Sequence, residues 1–111
     1  ILEVPAGKLD PGESPERCAA RELTEEAGYR SDRIVALGSI WTTPGFTDEK
    51  IHLFAAFDLT RATSRPEDDE VIEVIRVPLD EALELVWCGE LCDAKSALAL
   101  IHAAKHVGRL R

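Results

Sequence analysis

Three glutamates lie close together near the end of a predicted helix, in a placement that is unfavourable for a helix in water. Glu22, Glu25 and Glu26 are spaced at i, i+3 and i+4, where like charges repel. Glu25 and Glu26 also come just before Gly28, a typical helix C-terminal residue, and acids there oppose the helix dipole. A hard divalent cation such as Mg²⁺ would offset both effects, because it binds carboxylates together with substrate phosphates. The spacing therefore predicts a cation site; the alternative is an acidic stripe that faces solvent.

The helix that carries these glutamates is predicted over 15–27. Ser14 followed by Pro15 is a strong helix-start signal, after the turn at 10–12. Arg21 lies four residues before Glu25 and can brace its carboxylate. Small and apolar side chains fall on one side of this helix, away from the glutamates: Ala19, Ala20, Leu23 and Ala27. One face is thus expected to dock and another to present carboxylates, with Glu13 in support.

The remaining pattern predicts an α/β or α+β fold, a mixed sheet with helices packed on it. Strands are predicted over 34–42, 51–57 and 71–77, with the second buried on both faces, and loops over 43–49 and 60–69. Asp80 is predicted to cap a helix over 81–88, and Asp93 a helix over 94–107. Residues 1–5 resemble a strand already under way, so further strands are expected upstream.

Composition sets broad limits on function. The chain has 111 residues, of which 45% are hydrophobic and 31% charged, as expected for a single globular domain over 1–111. Its net charge of -8 argues against nucleic acid as the main partner. No apolar run is long enough for a membrane span, and no leader pattern is present, so a cytoplasmic protein without a membrane partner is expected.

Three isolated signals are given structural interpretations. The cysteines Cys18, Cys88 and Cys92 are odd in number and lack CxxC spacing, so they are expected to be reduced, partly buried thiols; a reactive thiol is the alternative. His102 and His106 are four residues apart but lack a third zinc ligand in the sequence pattern. No histidine is placed near Ser96 by sequence, so a serine triad is not supported.

The residues around the three glutamates resemble the complete Nudix box over 7–29. Every fixed position of that box is matched, namely by Gly7, Glu13, Arg21, Glu22, Glu25, Glu26 and Gly28, and Leu23 and Tyr29 fill its hydrophobic positions. Gly7, Glu13 and Gly28 correspond to its structural positions. The resemblance implies a Nudix fold and Mg²⁺-dependent hydrolysis of a nucleoside diphosphate linked to another group, with Mn²⁺ as a possible substitute.

Other segments are similar to the ADP-ribose pyrophosphatase subgroup of that family. The similar segments are 5–7, the loop 43–49 with Pro44 about 15 residues beyond the box, and 93–95 at the start of the last helix. This resemblance implies cleavage of ADP-ribose to AMP and ribose 5-phosphate, and a homodimer when the N-terminal strands are present. ADP-glucose or GDP-mannose as substrate remains open, and so does a nucleotide-binding module without turnover.

The family pattern also implies roles for individual residues. Glu22 and Glu26 correspond to the principal metal ligands, Glu25 shares that shell, and the carbonyl of Ala6 adds a backbone oxygen. Glu22, Glu25 and Arg21 are expected to take part in catalysis.

A glutamate on a later loop is expected to act as general base or extra ligand. We favour Glu70, with Asp68 and Glu73 as weaker candidates, and simple solvation of this acidic run is the alternative.

The loop 43–49 is expected to meet the substrate. Asp48 or Glu49 would position the terminal ribose or a water molecule, and Phe46 would pack beside the substrate. Core packing is the alternative role for Phe46 and Trp41, as for most large aromatic side chains.

Overall fold

The computed structural model describes residues 1–63 and 72–110. Its elements in chain order are helix α1 (Pro15–Glu22), a π-helical turn (Leu23–Ala27), strands β1 (Tyr29–Trp41) and β2 (Lys50–Arg61), and helices α2 (Leu79–Trp87) and α3 (Ala94–His106). This combination of helices and a strand pair agrees with the predicted α+β fold class. None of the helices in the described ranges is both long and apolar enough to cross a bilayer.

The chain divides into two compact units. The box unit comprises 5–35 and 56–76, and the helical unit comprises 1–4, 36–55 and 77–111. The box unit contains α1, the π-helical turn and the paired outer ends of β1 and β2. The helical unit contains α2, α3 and the hairpin that joins the two strands.

The strand pair is longer than the sequence pattern predicts. The predicted strand over 34–42 begins at Tyr29, and β2 continues to Arg61 through residues predicted as loop. Contacts at the outer end explain this extension: Ala62 N donates to Gly28 O at 2.8 Å, and Ser31 Oγ donates to Phe57 O at 2.6 Å. Pairing therefore continues past the hydrophobic stretch that marked the predicted strands.

Two predictions about the strands are wrong. β2 is not buried on both faces, since Leu53 is its only buried residue and, in the part of the chain that the structure describes, its sheet has two strands. Residues 72–77 of the predicted third strand adopt no strand conformation, and Val71 lies outside the described residues. A strand is stabilised by pairing, and among the described residues β1 and β2 pair only with each other, so this segment lacks ladder hydrogen bonds. Its apolar side chains, Ile72, Val74, Ile75 and Val77, are between 37% and 52% exposed.

In the helical unit, α2 and α3 pack against each other and bury Ala82, Leu83, Leu91 and Ala104. The predicted Asp80 cap is wrong, because α2 begins one residue before Asp80, with Pro78 at its N-cap position. The fixed φ of proline suits that start, and Asp80 lies instead in the first turn, where an acid complements the helix dipole.

The predicted Asp93 cap of α3 is confirmed. Asp93 accepts hydrogen bonds from Ser96 N at 3.2 Å and from Ser96 Oγ at 2.5 Å. Ser96 is fully buried and accepts from Val4 N at 2.9 Å, while Lys95 bridges Asp93 and Glu3. Burial raises the pKa of the Asp93 carboxyl, but the Ser96 and Lys95 hydrogen bonds outweigh it and hold that pKa below its ordinary value. The role of Ser96 is thus to cap α3 and hold the N-terminal segment.

Exposure corrects two further expectations. Trp41 is 56% and Phe46 86% exposed, so neither ring packs in a core. Lys50 Nζ lies 5.3 Å from the centre of the Trp41 ring, a cation–π distance. All three cysteines are free, but only Cys18 is buried, whereas Cys88 and Cys92 are exposed. Burial raises the pKa of the Cys18 thiol, which disfavours the reactive thiolate form.

Candidate functional site

The three glutamates of the box are carried by a helix that changes its hydrogen-bonding pattern. Glu22 ends α1, and Glu25 and Glu26 lie in the π-helical turn. Gly28 closes the helix with a left-handed φ of 77°, and its N–H donates to Thr24 O at 3.0 Å, as predicted for the C-terminal glycine. Sequence reasoning missed the π turn, which has no distinct residue signature here; such turns occur frequently at functional sites.

The start of α1 is as predicted. Ser14 Oγ accepts from Arg17 N at 3.2 Å, and Pro15 occupies the first helical position. Cys18 is buried beneath the loop that precedes the helix, with its thiol 3.5 Å from Lys8 O. These contacts fix the loop and the helix against each other, so that the side chains of both can meet.

Arg21 is the centre of the charged cluster. Its Nε and Nη2 donate to the two oxygens of Glu13 at 2.8 and 2.9 Å. Its Nη1 donates to Glu22 Oε1 at 2.8 Å and to Glu25 Oε2 at 3.1 Å, which confirms the expected brace on Glu25. A further Nη2 bond goes to Lys8 O at 3.0 Å. The five N–H groups of a guanidinium are thereby all matched with acceptors.

The Glu13–Arg21 pair is the electrostatic anchor of this network. Hydrogen bonds from Arg21 and from Asp10 N lower the pKa of the Glu13 carboxyl to about 2, and the same pair raises the pKa of Arg21. Glu13 therefore carries a full negative charge at neutral pH and holds the guanidinium in place. Glu13 thus supports the cluster by orienting Arg21, which in turn contacts Glu22 and Glu25.

Ala6 and Gly7, at the start of the box, contact Glu26 and Glu22. Ala6 N donates to Glu26 Oε1 at 2.7 Å. Glu22 packs so closely on Gly7 that a Cβ atom there would lie 2.2 Å from its carboxyl carbon. Gly7 is therefore required for this approach, because any side chain would overlap the carboxyl group. The segment that precedes α1 is thereby held against both the end of α1 and the π-helical turn.

The Glu22 carboxyl has an unfavourable environment for its charge. Burial is the largest cause that raises its pKa; Arg21 opposes the effect, and repulsion from Glu26 and Glu25 adds to it. The repulsion shows that the three carboxylates act on one another. A cation held among them would relieve it.

The donor set fits a hard cation in type. Carboxylate and carbonyl oxygens are the ligands that Mg²⁺ prefers, and Glu22, Glu25, Glu26 and Ala6 supply them within one unit. Within residues 1–63 and 72–110, however, no three His, Cys, Asp or Glu side chains already converge on one cation position. One reason is visible in the contacts: the Arg21 guanidinium, itself a cation, bridges Glu22 and Glu25.

Comparison with known proteins identifies the family. A sequence model of the NUDIX domain matches residues 2–97. The chain belongs to the Nudix family. ADP-ribose pyrophosphatase of Bacillus subtilis is 45% identical over 102 residues, which cover 90% of this chain and 55% of that relative. GDP-mannose pyrophosphatase of Yersinia enterocolitica is 38% identical over 109 residues, which cover 96% of this chain and 56% of that relative.

A solved structure confirms the Nudix fold. The crystal structure of an ADP compounds hydrolase matches with a TM-score of 0.79 and 28% sequence identity, covering 92% of this chain and 57% of that one. The chain therefore spans a little over half the length of these relatives.

The remaining predicted site residues that the structure describes lie outside the hydrogen-bonded cluster around Arg21. Asp68 and Glu70 lie outside the described residues, and Glu73 is exposed. Phe46, Asp48 and Glu49 belong to the helical unit, where all three are exposed and Glu49 Oε1 accepts from Thr42 Oγ1 at 2.9 Å. Their proposed contact with substrate therefore stays a prediction.

Proposed function

We propose that this protein hydrolyses the pyrophosphate bond of ADP-ribose in an Mg²⁺-dependent reaction, giving AMP and ribose 5-phosphate. The observation that carries the proposal is the arrangement of the box, in which one arginine orders Glu13, Glu22 and Glu25 while Glu26 engages Ala6. The 45% identity to an ADP-ribose pyrophosphatase supports this choice of substrate. GDP-mannose is the second candidate substrate, because other similar relatives are named GDP-mannose pyrophosphatases.

The residues of the box have distinct tasks in this proposal. Glu22, Glu25, Glu26 and the Ala6 carbonyl would hold Mg²⁺, which supplies charge neutralisation at the pyrophosphate and acidifies a water molecule. Arg21 acts as a positioning residue, because its contacts orient Glu22 and Glu25. A carboxylate accepts the proton of the attacking water, and Glu70 is our first choice.

The reaction consumes one water molecule. Its oxygen forms a bond to one phosphorus, the bond from that phosphorus to the bridging oxygen breaks, and the bridging oxygen leaves with the other phosphate. We further propose a single Nudix domain over 1–111 and a homodimer when N-terminal strands are present, both from the family resemblance, and a cytoplasmic location from the composition.

The test is a discontinuous assay of the purified chain with ADP-ribose and Mg²⁺, with the products separated by chromatography. We expect AMP and ribose 5-phosphate in equal amounts, and none in EDTA. GDP-mannose and ADP-glucose are assayed in parallel. If either is cleaved faster than ADP-ribose, that compound becomes the proposed substrate. Binding of ADP-ribose without any cleavage would contradict the enzyme proposal and favour a nucleotide-binding module.

Replacing Gly7 with alanine is expected to lower kcat about 10–100-fold while the fold is kept, a loss typical of residues that orient metal ligands. The added Cβ would lie 2.2 Å from Glu22 Oε1, and this flexible side chain can move away, so the carboxylate rather than the backbone is displaced. The measurement is kcat as a function of Mg²⁺ concentration, with circular dichroism to check the fold.

Gly12→Ala provides the control for that substitution. Gly12 has a φ of 76° and no atom within 4 Å of an added Cβ, so backbone strain is expected without displacement of a carboxylate. This variant should be less stable but keep its Mg²⁺ dependence. A Gly7→Ala protein with a wild-type rate and Mg²⁺ response would show that the position of Glu22 is unimportant.

A further inference from the structure

An open groove of about 630 Å³ lies beside the π-helical turn in the box unit. It is lined by Arg21, Thr24, Glu25, Arg30, Ala62 and Thr63. Its volume is within the range of pockets that accept small ligands. Glu25, a proposed metal ligand, contributes to its wall, so the groove adjoins the proposed reaction site. A substrate that carries a pyrophosphate brings negative charge to this face, in a chain whose net charge is already -8.

Arg21 cannot serve as the phosphate-binding cation of this groove. Its Nε, Nη1 and Nη2 groups donate to Glu13, Glu22, Glu25 and the Lys8 carbonyl, which uses all five of its N–H groups. A phosphate oxygen could bind Arg21 only by displacing one of these acceptors. Besides Arg21, the side chain in the lining that can bind an anionic ligand through its own positive charge is Arg30.

Arg30 has the properties that this task requires. It is an exposed residue near the start of β1, and within the described ranges no hydrogen bond or ion pair engages its guanidinium. Thr24, on the same groove, already donates its hydroxyl hydrogen to a backbone oxygen, Tyr29 O at 2.9 Å. Arg33, three residues along the same strand, stacks instead over the Phe57 ring at 4.2 Å.

We propose that the guanidinium of Arg30 binds a phosphate group of the nucleoside diphosphate sugar in this groove. A planar guanidinium can donate two parallel hydrogen bonds to a phosphate, which fixes the orientation of the group as well as attracting its charge. Arg21 then orients the carboxylates, and Arg30 binds the anion that they act upon. This role rests on the proposed hydrolase function for its substrate class.

Arg30→Gln is expected to raise KM for ADP-ribose roughly tenfold and to change kcat less than about twofold. The tenfold rise in KM follows from the loss of charge-assisted hydrogen bonds to a phosphate. The small change in kcat follows because Arg30 contributes to substrate binding in the ground state and the transition state alike. Arg30→Lys should recover part of the loss, because it keeps the charge but not the paired donors. Arg33→Gln is the matched control on the same strand and should keep the wild-type KM.

A second measurement separates this proposal from the hydrolase function. Calorimetry in EDTA reports the binding of ADP-ribose without turnover, and Arg30→Gln should weaken that binding by a similar factor. Weaker binding by Arg30→Gln in a protein that cleaves nothing would reject the hydrolase function but support the phosphate site. Equal KM and equal Kd in Arg30→Gln and wild type would overturn the role of Arg30, and so would a wild-type protein that binds no ADP-ribose.

Discussion

Replacing Glu26 with glutamine is expected to lower kcat for ADP-ribose at least about 100-fold, with the fold intact. Outer-shell partners of a metal site cost up to about 100-fold when removed, so a direct ligand should cost no less. The substitution removes the negative charge while it keeps the size of the side chain. The amide oxygen of glutamine can still accept the hydrogen bond that Ala6 N donates to Glu26 at 2.7 Å. The local structure is therefore expected to remain.

Two measurements check this expectation. Steady-state kinetics with ADP-ribose and Mg²⁺ gives the rate, and Mn²⁺ binding followed by electron paramagnetic resonance gives the affinity for a cation directly. Glu16→Gln is the matched control, because Glu16 is an exposed acid in the first turn of the same helix. It should keep the wild-type rate. A nearly wild-type rate for Glu26→Gln would remove the metal role from this carboxylate.

Local signals in the sequence were enough to predict most helix boundaries. Ser14 and Asp93 cap their helices with side-chain oxygens, and Gly28 adopts the left-handed conformation expected of a helix end. These features depend on a few consecutive residues, so their physical causes are present in the sequence itself. The spacing of Arg21 and Glu25 predicted their contact for the same reason.

Features that depend on distant partners were predicted less well. The apolar run of β2 indicated burial on both faces, but burial requires layers on both sides, and Leu53 is the only buried residue in that strand. The segment 72–77 has the composition of a strand, yet among the described residues β1 and β2 pair only with each other and this segment stays outside the sheet. Pairing is a property of two segments, whereas a hydrophobic pattern describes one.

The candidate site shows the same division. The acidic residues and their approximate neighbours follow from the spacing on one helix. The contacts from the preceding loop do not, because Ala6 and Gly7 lie 20 and 15 residues before Glu26 and Glu22 and meet them only after folding. The π-helical turn could not be predicted from the sequence either, because its residues are as compatible with an ordinary α-helix as with a π-helix. The role of Arg21 as a fully engaged hydrogen-bond donor became visible only with these contacts.

Arg21→Lys is expected to lower kcat/KM by about 10–100-fold and to reduce the melting temperature by several degrees. Lysine keeps the positive charge but offers three donors from one point, whereas arginine offers five in a planar arrangement. It cannot hold both oxygens of Glu13 and also bridge Glu22 to Glu25, as Arg21 does at 2.8 and 3.1 Å. The carboxylates would then lose their fixed orientation. Arg17→Lys, an exposed change on the same helix, is the control.

The pH dependence of stability tests whether Glu13 is the partner responsible. Its pKa is lowered from an ordinary value of 4.5 to about 2, chiefly by the Arg21 hydrogen bonds. A lowered pKa stabilises the folded chain above pH 4.5, and this stabilisation is lost as the pH falls toward 2. The difference in melting temperature between wild type and Arg21→Lys should therefore be constant near neutral pH and shrink below pH 4.5. A difference that persists unchanged at pH 3, or a variant with wild-type kcat/KM, would show that the paired geometry of Arg21 is dispensable.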